Sequence, residues 1–199
     1  LSNRKIGHIA LLCGGQRYLE KKIIFDKKIF DEMVKKAVYF WEEFIIKKSI
    51  TTLWLTSSLF NQLVDINETI IDRVSYLLVG GDVLSGKHIT KIRNRNKKLV
   101  IINGYGPTEN TTFSTTFEIN KAYIGNIPIG KPISNSTAYI FDSANKLQPI
   151  GVSGELVVGG DGVAVGYLNN PELTAAKFIK HPFIEGEILY RTGDLARWL

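Results

Sequence analysis

The stretch Asn103–Gly104–Tyr105–Gly106–Pro107–Thr108–Glu109–Asn110–Thr111–Thr112 decides how the rest of this chain is interpreted. It follows the apolar run Leu99–Ile102, which predicts a short buried strand. Two glycines and a proline then break the strand into a tight loop. The loop carries an aromatic ring, hydroxyl groups and one carboxylate, a set that suits a nucleotide and its magnesium ion. An ordinary glycine–proline turn with a solvated glutamate remains the alternative at this point.

Strands and helices alternate upstream of this loop. The segments Thr51–Leu55 and Val74–Val79 predict two more strands, and Ser57 or Ser58 and then Ser85 can cap the helices that follow them. This order implies right-handed crossovers and a parallel sheet. The carboxyl ends of parallel strands meet at one edge, where ligands bind in open α/β sheets. The turn after the second strand and the loop after the third are therefore expected to share a crevice.

The flanking regions have different patterns. Apolar residues at helical spacing predict an amphipathic helix over residues 31–48. Downstream, Asn170–Pro171 predicts a helix start, and short strand candidates alternate with turns. These candidates are Thr137–Phe141, Gly154–Val158 and Glu187–Tyr190. We therefore expect an α/β fold, with a parallel βαβ sheet layer over residues 1–118 and a distorted, mostly antiparallel β subdomain over 119–199.

Composition excludes several classes of protein. The 199 residues are 44% apolar and 22% charged, as is usual for a globular protein. Although the net charge is +6, the dense basic run at residues 87–98 is typical of a solvated helix face. The single cysteine, Cys13, rules out an internal disulfide framework and fits a reducing, cytoplasmic location. We expect no nucleic-acid partner and no membrane span, because no apolar run approaches about 18 residues.

Three motifs resemble those of a known family. Tyr105–Glu109 resembles the Tyr-Gly-Pro-Thr-Glu core motif of the adenylate-forming, or AMP-binding, enzymes. The similarity is greatest to the amino-acid adenylation domains of nonribosomal peptide synthetases. Gly154–Gly160 with Val165–Tyr167 resembles the next core motif, and Tyr190–Asp194 resembles the one after that. The motifs occur in the family's order and with roughly its spacing, and the resemblance extends from about residue 50 to residue 199.

The resemblance implies an ATP-dependent ligase that makes an aminoacyl-adenylate and passes the amino acid to a phosphopantetheine thiol on a carrier domain. In that reaction Tyr105 would stack on the adenine, and Thr108 would contact a phosphate. Glu109 would help to bind Mg²⁺, and Asp194 would accept from the ribose hydroxyls. Thr108 and Glu109 are thus the candidate catalytic residues. The other positions of the implied ATP site are Gly81, Asn103, Gly104 and Gly106.

The same resemblance implies a substrate pocket formed by six residues without charge. They are Trp54, Leu78, Gly80, Gly104, Thr112 and Phe113. A small apolar pocket would leave a charged substrate unpaired, so a short branched side chain is expected. The set resembles that of valine-activating domains, although a single methylene discriminates by only about 1–3 kcal/mol. Burial in the strand core is the alternative interpretation of Trp54 and Leu78.

Some parts of the family pattern do not occur in this chain. It has neither the Ser/Thr/Gly-rich loop with a lysine nor the hinge and catalytic lysine that follow the last motif. We therefore expect a fragment of the large N-terminal part of an adenylating enzyme, one that does not complete the reaction alone. Phe25–Asp26 superficially matches the motif that binds the substrate's amino group, but Asp26 lies only 24 residues before Ile50, so we favour an alignment that excludes it.

The expected partners are an amino acid and the peptidyl carrier and condensation domains of one assembly line. A fragment of an acyl- or aryl-CoA ligase is the alternative within enzymes, because such ligases share all three motifs. A non-catalytic remnant of a synthetase is the alternative outside enzymes.

Overall fold

The computed structural model describes residues 27–199. The first element is helix α1 (Lys27–Lys47), which confirms the predicted amphipathic helix. Val38 and Ile45 of this helix are buried in the core. The interpretations of Cys13 and Asp26 fall outside the described residues.

A parallel layer follows α1. It consists of three strands joined by two helices: β1 (Thr52–Thr56), α2 (Ser57–Ile66), β2 (Tyr76–Gly80), α3 (Gly86–Arg95) and β3 (Val100–Tyr105). β1 pairs with β2 and β2 with β3, all in parallel. The predicted strand–helix alternation is thus confirmed, and the loop after β3 lies at the carboxyl edge of the layer.

The two faces of this layer differ. Side chains alternate between the faces of a strand, and one set, which includes Leu77 and Ile101, is fully buried. Phe60 and Ile89 of the two crossover helices belong to the same buried cluster. The opposite face remains open, and Trp54 on it is 48% exposed. One face of the layer therefore supplies the core, and the other is available for a ligand.

Antiparallel strands complete the structure. β4 (Thr115–Glu118) pairs with β3, and β5 (Lys131–Pro132) pairs with β4, which extends the first sheet to five strands. A second, antiparallel sheet has the order β6-β7-β9-β8. It comprises β6 (Ser136–Phe141), β7 (Gly154–Gly160), β8 (Phe178–Lys180) and β9 (Ile188–Ala196), with helix α4 (Pro171–Lys177) before β8. The expected antiparallel β subdomain is therefore confirmed.

The helix caps agree with the sequence in part. Asn170 caps α4 through a 3.1 Å bond from the Leu173 N–H, as predicted. The cap of α2 is Thr56, the residue before the predicted serines. Ser85 does occupy the N-cap of α3, but its hydroxyl lies 2.7 Å from the His88 ring, so it makes no capping bond.

The basic run on α3 is paired with acidic side chains. Arg95 bonds to Asp72 through Nε at 3.0 Å, and Lys91 lies 2.7 Å from Glu68. The helix face expected to be solvated thus takes part in an exposed ion-pair network. In the part of the chain that the structure describes, no helix combines the length and apolar character needed to cross a bilayer.

The buried face of the parallel layer predicts a large cost for truncating Leu77. Leu77→Ala should lower the free energy of unfolding by about 2–5 kcal/mol, because it removes a fully buried side chain and leaves a cavity. Leu168→Ala, at a position that is 92% exposed, serves as the control and should change it by less than about 0.5 kcal/mol. Denaturant unfolding followed by fluorescence measures both, and equal effects would contradict the assignment of this core.

Candidate functional site

The loop after β3 has a fixed shape. Gly106 and Pro107 end the strand, and residues 108–110 form one 3₁₀ turn. Thr111 and Thr112 then adopt positive φ angles of 42° and 61°, which reverse the chain toward β4. The loop is closed by a 2.8 Å bond from the N–H of Ser114 to the carbonyl of Tyr105. The predicted nucleotide residues thus lie on a tightly held turn at the sheet edge.

Two glycines bring neighbouring strands into close contact at this edge. Gly80 and Gly104 are paired in register, and a Cβ atom on Gly80 would lie 2.1 Å from the Gly104 carbonyl oxygen. A Cβ atom on Gly104 would lie 2.6 Å from the ring of Phe113. Larger residues at either position would therefore displace the strand or the ring.

The structure brings Trp54, Leu78, Gly104 and Phe113 of the predicted pocket together on the open face. Trp54 and Leu78 are in register on β1 and β2, and the Trp54 and Phe113 ring centroids are 6.4 Å apart. Gly104 lies against the same Phe113 ring. Thr112 is exposed on the loop. Because Trp54 is nearly half exposed, the alternative that it belongs to the strand core does not hold.

Asp194 lies beside Tyr105. The Tyr105 hydroxyl donates to the Asp194 carboxylate at 2.5 Å, although the two residues are 89 positions apart. Burial, and then this bond, raises the pKa of Tyr105, so the phenol stays protonated and donates. Asp194 is exposed, and its N–H donates to the Thr192 hydroxyl at 3.0 Å. The Tyr105 side chain and the exposed Asp194 carboxylate are therefore held side by side by a hydrogen bond.

Glu155 and Arg191 support the backbone next to Asp194. Arg191 Nε donates to a Glu155 carboxylate oxygen at 2.9 Å, and the N–H of Gly193 donates to the other oxygen at 3.1 Å. Burial raises the pKa of Glu155, but the Arg191 guanidinium and the Gly193 N–H outweigh it, so the pKa is lowered overall. Glu155 thus holds the main chain next to Asp194 in place.

Glu109 accepts a hydrogen bond from the second sheet. The Tyr167 hydroxyl donates to Glu109 Oε1 at 2.6 Å, and the Tyr190 hydroxyl lies 3.1 Å from that of Tyr167. Burial raises the pKa of Glu109, but the bond from Tyr167, the nearby Tyr190 hydroxyl and the positive charge of Lys177 outweigh it and lower the pKa overall. Glu109 is therefore an ionised carboxylate at neutral pH.

The backbone of the loop is also bound to the second sheet. The N–H of Ala164 donates to the Glu109 carbonyl at 2.8 Å, and the Thr111 hydroxyl donates to the Gly162 carbonyl at 2.8 Å. The segment that follows β7 therefore holds the loop after β3 through its main chain as well as through Tyr167.

Three further residues were predicted to bind the nucleotide: Gly81, Asn103 and Thr108. Asn103 is buried, and its amide donates to the Pro128 carbonyl at 2.8 Å, which gives it a structural contact. Gly81 and Thr108 are exposed at the sheet edge. The binding roles of all three stay predictions. A surface concavity of about 700 Å³ lies elsewhere, along residues 180–188, and contains none of the predicted residues.

Sequence reasoning missed Tyr167, Tyr190 and Lys177 as neighbours of Glu109. Both tyrosines lie within the recognised motifs, but nothing in the motifs indicates that they approach the loop after β3. The Tyr167–Glu109 contact joins residues 58 positions apart and depends on how the sheets pack. Only covariation or a structure could have revealed it.

The carboxylates of the site suit a metal ion shared with a nucleotide. Among residues 27–199, no three His, Cys, Asp or Glu side chains come together as a group that could hold a metal ion. Mg²⁺ is commonly held by one or two carboxylates together with phosphate oxygens and water. Glu109, ionised and only partly buried, fits that arrangement.

Comparison with known proteins gives the same family. Residues 27–168 match the family model described as AMP-binding enzyme. The chain is 53% identical over 191 residues to tyrocidine synthase 3 of Brevibacillus parabrevis, a match that covers 96% of the chain and 3% of the synthase. It is 51% identical to surfactin synthase subunit 2 of Bacillus subtilis (strain 168), covering 96% of the chain and 5% of the subunit.

Solved structures agree with the fold. The chain superimposes on PA1221, a protein containing adenylation and PCP domains bound to a vinylsulfonamide inhibitor, with a TM-score of 0.76 and 36% identity over 80% of this chain and 28% of that one. It matches the N-terminal subdomain of Klebsiella oxytoca NpsA in complex with 3-hydroxybenzoyl-AMSN with a TM-score of 0.74 and 28% identity over 80% of this chain and 42% of that one.

This chain belongs to the AMP-binding enzyme family, and its resemblance to the adenylation domains of nonribosomal peptide synthetases is confirmed. It spans only a few per cent of the length of the synthetases it matches.

The Glu155–Arg191 pair predicts a pH-dependent contribution to stability. Because the pKa of Glu155 is lowered from its ordinary value of 4.5, its charged form stabilises the folded protein above pH 4.5, and this contribution is lost as pH falls through the lowered pKa. Glu155→Gln should lower the free energy of unfolding by about 2 kcal/mol at pH 7. The difference from wild type should narrow progressively as the pH falls below 4.5.

Urea unfolding from pH 7 to pH 3 measures this difference. Glu185→Gln, at an exposed position in the loop after β8, is the control and should show no such dependence. A gap that stays constant down to pH 3 would show that the charge of Glu155 does not stabilise the turn next to Asp194.

Proposed function

We propose that this chain is part of an adenylation domain that uses ATP to convert an amino acid into an aminoacyl-adenylate for nonribosomal peptide synthesis. The observation that carries the proposal is the meeting of Tyr105, Asp194 and Glu109 at the sheet edge, next to the apolar face that bears Trp54. An aromatic ring, an accessible acceptor and a charged carboxylate match the adenine, ribose and phosphates of a nucleotide. The similarity to tyrocidine synthase 3 and surfactin synthase subunit 2 supports the same function.

Each site residue contacts a different part of the nucleotide. The ring of Tyr105 stacks on the adenine, and the Asp194 carboxylate accepts from the ribose hydroxyls. The exposed hydroxyl of Thr108 contacts a phosphate, which places it and Glu109 beside the reacting centre. Glu109, together with phosphate oxygens, would hold Mg²⁺, and the ion would supply positive charge to offset the negative charge that develops on the phosphates.

The reaction itself is an in-line displacement. A carboxylate oxygen of the amino acid forms a bond to the α-phosphorus, and the bond from that phosphorus to the bridging oxygen breaks, so that pyrophosphate leaves with the electron pair. Gly104 belongs both to the nucleotide loop and to the pocket. It therefore brings the amino acid next to the α-phosphate, and catalysis depends largely on this positioning.

The substrate we propose is valine or a similar small branched amino acid. The Trp54 and Phe113 rings border the pocket, and none of its six residues is charged. An acidic or basic side chain would be buried there without a partner. A fatty or aryl acid in a CoA ligase remains the second candidate, since the similar N-terminal subdomain of NpsA is in complex with 3-hydroxybenzoyl-AMSN, a ligand with an aryl acyl group.

The partners we propose are a peptidyl carrier domain with its phosphopantetheine thiol and a condensation domain of the same assembly line. The PA1221 structure, which contains both adenylation and PCP domains, supports the first of these. We further propose that residues 27–199 alone do not complete the cycle, because the cationic groups that the family uses on the triphosphate are not among them. Residues 1–118 and 119–199 are then two portions of one larger domain.

Amino-acid-dependent ATP–pyrophosphate exchange tests the proposed reaction. The complete synthetase module that contains this chain is assayed with the twenty amino acids and a panel of aryl and fatty acids. We expect valine to give the highest rate. Exchange led by an aryl or fatty acid would support the ligase alternative, and no exchange from a folded module would support a non-catalytic remnant.

The ribose contact is tested by Asp194→Asn in the same module. Loss of a charged acceptor should raise the KM for ATP roughly tenfold while the KM for the amino acid changes less than about twofold. Asp161→Asn, at an exposed position in the loop after β7, is the control and should leave both values unchanged. An unaltered KM for ATP in the Asp194 variant would exclude this role.

The pocket is tested by Phe113→Leu. A smaller side chain beside Trp54 should admit a longer substrate, so the ratio of kcat/KM for leucine to that for valine should rise roughly tenfold. Phe117→Leu is the matched control, because Phe117 packs on Tyr123 and not on Trp54. An unchanged ratio would place the substrate side chain elsewhere.

A further inference from the structure

We propose that Tyr167 is a positioning residue for Glu109: its hydroxyl orients the Glu109 carboxylate toward a divalent cation bound with the nucleotide phosphates. This inference rests on the proposed function, because it assigns Glu109 to the metal–nucleotide complex. It adds a specific role for a residue of the segment between β7 and α4, to which the motif resemblance assigned no role.

The direction of the hydrogen bonds follows from the charge of Glu109. An ionised carboxylate only accepts, so the single O–H of Tyr167 donates to Oε1 at 2.6 Å. The 3.1 Å contact between the two phenols must then be a bond in which Tyr190 donates to Tyr167. Two tyrosines thus form a relay that ends on the carboxylate, and polarisation along such a chain strengthens the last bond.

Tyr167 is itself held rigidly. Its N–H donates to the Thr174 hydroxyl on α4 at 2.9 Å, and its ring packs edge-on against Phe178 with centroids 5.5 Å apart. The preceding Gly166 has a φ of 142°, and a Cβ atom there would lie 2.5 Å from the Thr174 methyl group. The hydroxyl is therefore presented from a fixed backbone, as positioning a catalytic carboxylate requires.

The segment that carries Tyr167 makes a second hydrogen bond to the loop after β3. The N–H of Ala164 donates to the Glu109 carbonyl at 2.8 Å, so the main chain and the carboxylate of Glu109 are bound by residues three positions apart. Because the main-chain bond already holds the loop, the Tyr167 hydroxyl is available to set the orientation of the side chain. Its removal should therefore alter metal use more than it alters loop position.

Tyr167→Phe in the complete module tests the inference. It keeps the ring on Phe178 and removes only the hydroxyl. The Mg²⁺ concentration for half-maximal ATP–pyrophosphate exchange should rise roughly tenfold, while the KM for the amino acid should change less than about twofold. Tyr190→Phe should give a smaller rise, because it removes only the first member of the relay. Tyr139→Phe, which loses a hydroxyl bonded to His181 away from the site, should give none.

A binding measurement separates this inference from the proposed function. Mn²⁺ titration by electron paramagnetic resonance, with a non-hydrolysable ATP analogue present, should show roughly tenfold weaker Mn²⁺ binding in Tyr167→Phe. In a Glu109→Gln background the same substitution should have no further effect, because it acts through that carboxylate. A module that binds Mn²⁺ with the analogue but exchanges no pyrophosphate would refute the proposed function while still testing Tyr167.

Three outcomes would overturn the inference. They are an unchanged metal requirement in a folded Tyr167→Phe module, an equal effect of that substitution with and without Glu109, and an equal effect of Tyr139→Phe. If Tyr167→Phe does not fold, Tyr190→Phe decides the question, because it weakens the same relay from one bond further away. An unchanged Mn²⁺ affinity in that variant would then count against the proposal.

Discussion

Two hydrogen bonds between the sheets hold the candidate site together. Tyr105 on β3 donates to Asp194 on β9, and Tyr167, in the segment between β7 and α4, donates to Glu109 in the loop after β3. The two donors lie on opposite sides, so each sheet, together with the segment that follows its strand, contributes one phenol and one carboxylate. Neither side alone presents the full set of proposed nucleotide-binding groups, and the arrangement of the candidate site depends on how the sheets pack against each other.

The parallel layer and its ligand edge were predictable because local rules determine them. Apolar runs of strand length, broken by glycines, indicated β1, β2 and β3, and the crossover rule then placed the loop after β3 at the carboxyl edge. Tyr105, Glu109 and Asp194 followed from a family resemblance rather than from spacing alone. Local signals were less reliable for single contacts: the serines that start α2 and α3 do not make the capping bonds, because Thr56 caps one helix and His88 engages the Ser85 hydroxyl.

Long-range packing accounts for what the sequence did not reveal. The glycine-rich character of the sheet edge was visible, but its reason was not: Gly80 leaves room for the Gly104 carbonyl, and Gly104 leaves room for the Phe113 ring. The tyrosine relay could not be inferred because a phenol in a motif gives no sign of its partner across a sheet interface. At Trp54 the sequence left two interpretations open, a pocket residue or strand core, and the structure leaves about half of the residue exposed.

The 89-residue separation of Tyr105 and Asp194 has a consequence for the order of events during synthesis. The ribosome synthesises β3 and the loop after it long before β9. A nascent chain therefore contains Tyr105 and Glu109 before their partners have been made. Closing such a long chain segment carries an entropic cost that later contacts must offset. The Tyr105–Asp194 pair therefore cannot form until β9 has been synthesised, whereas Tyr167, the partner of Glu109, is made earlier.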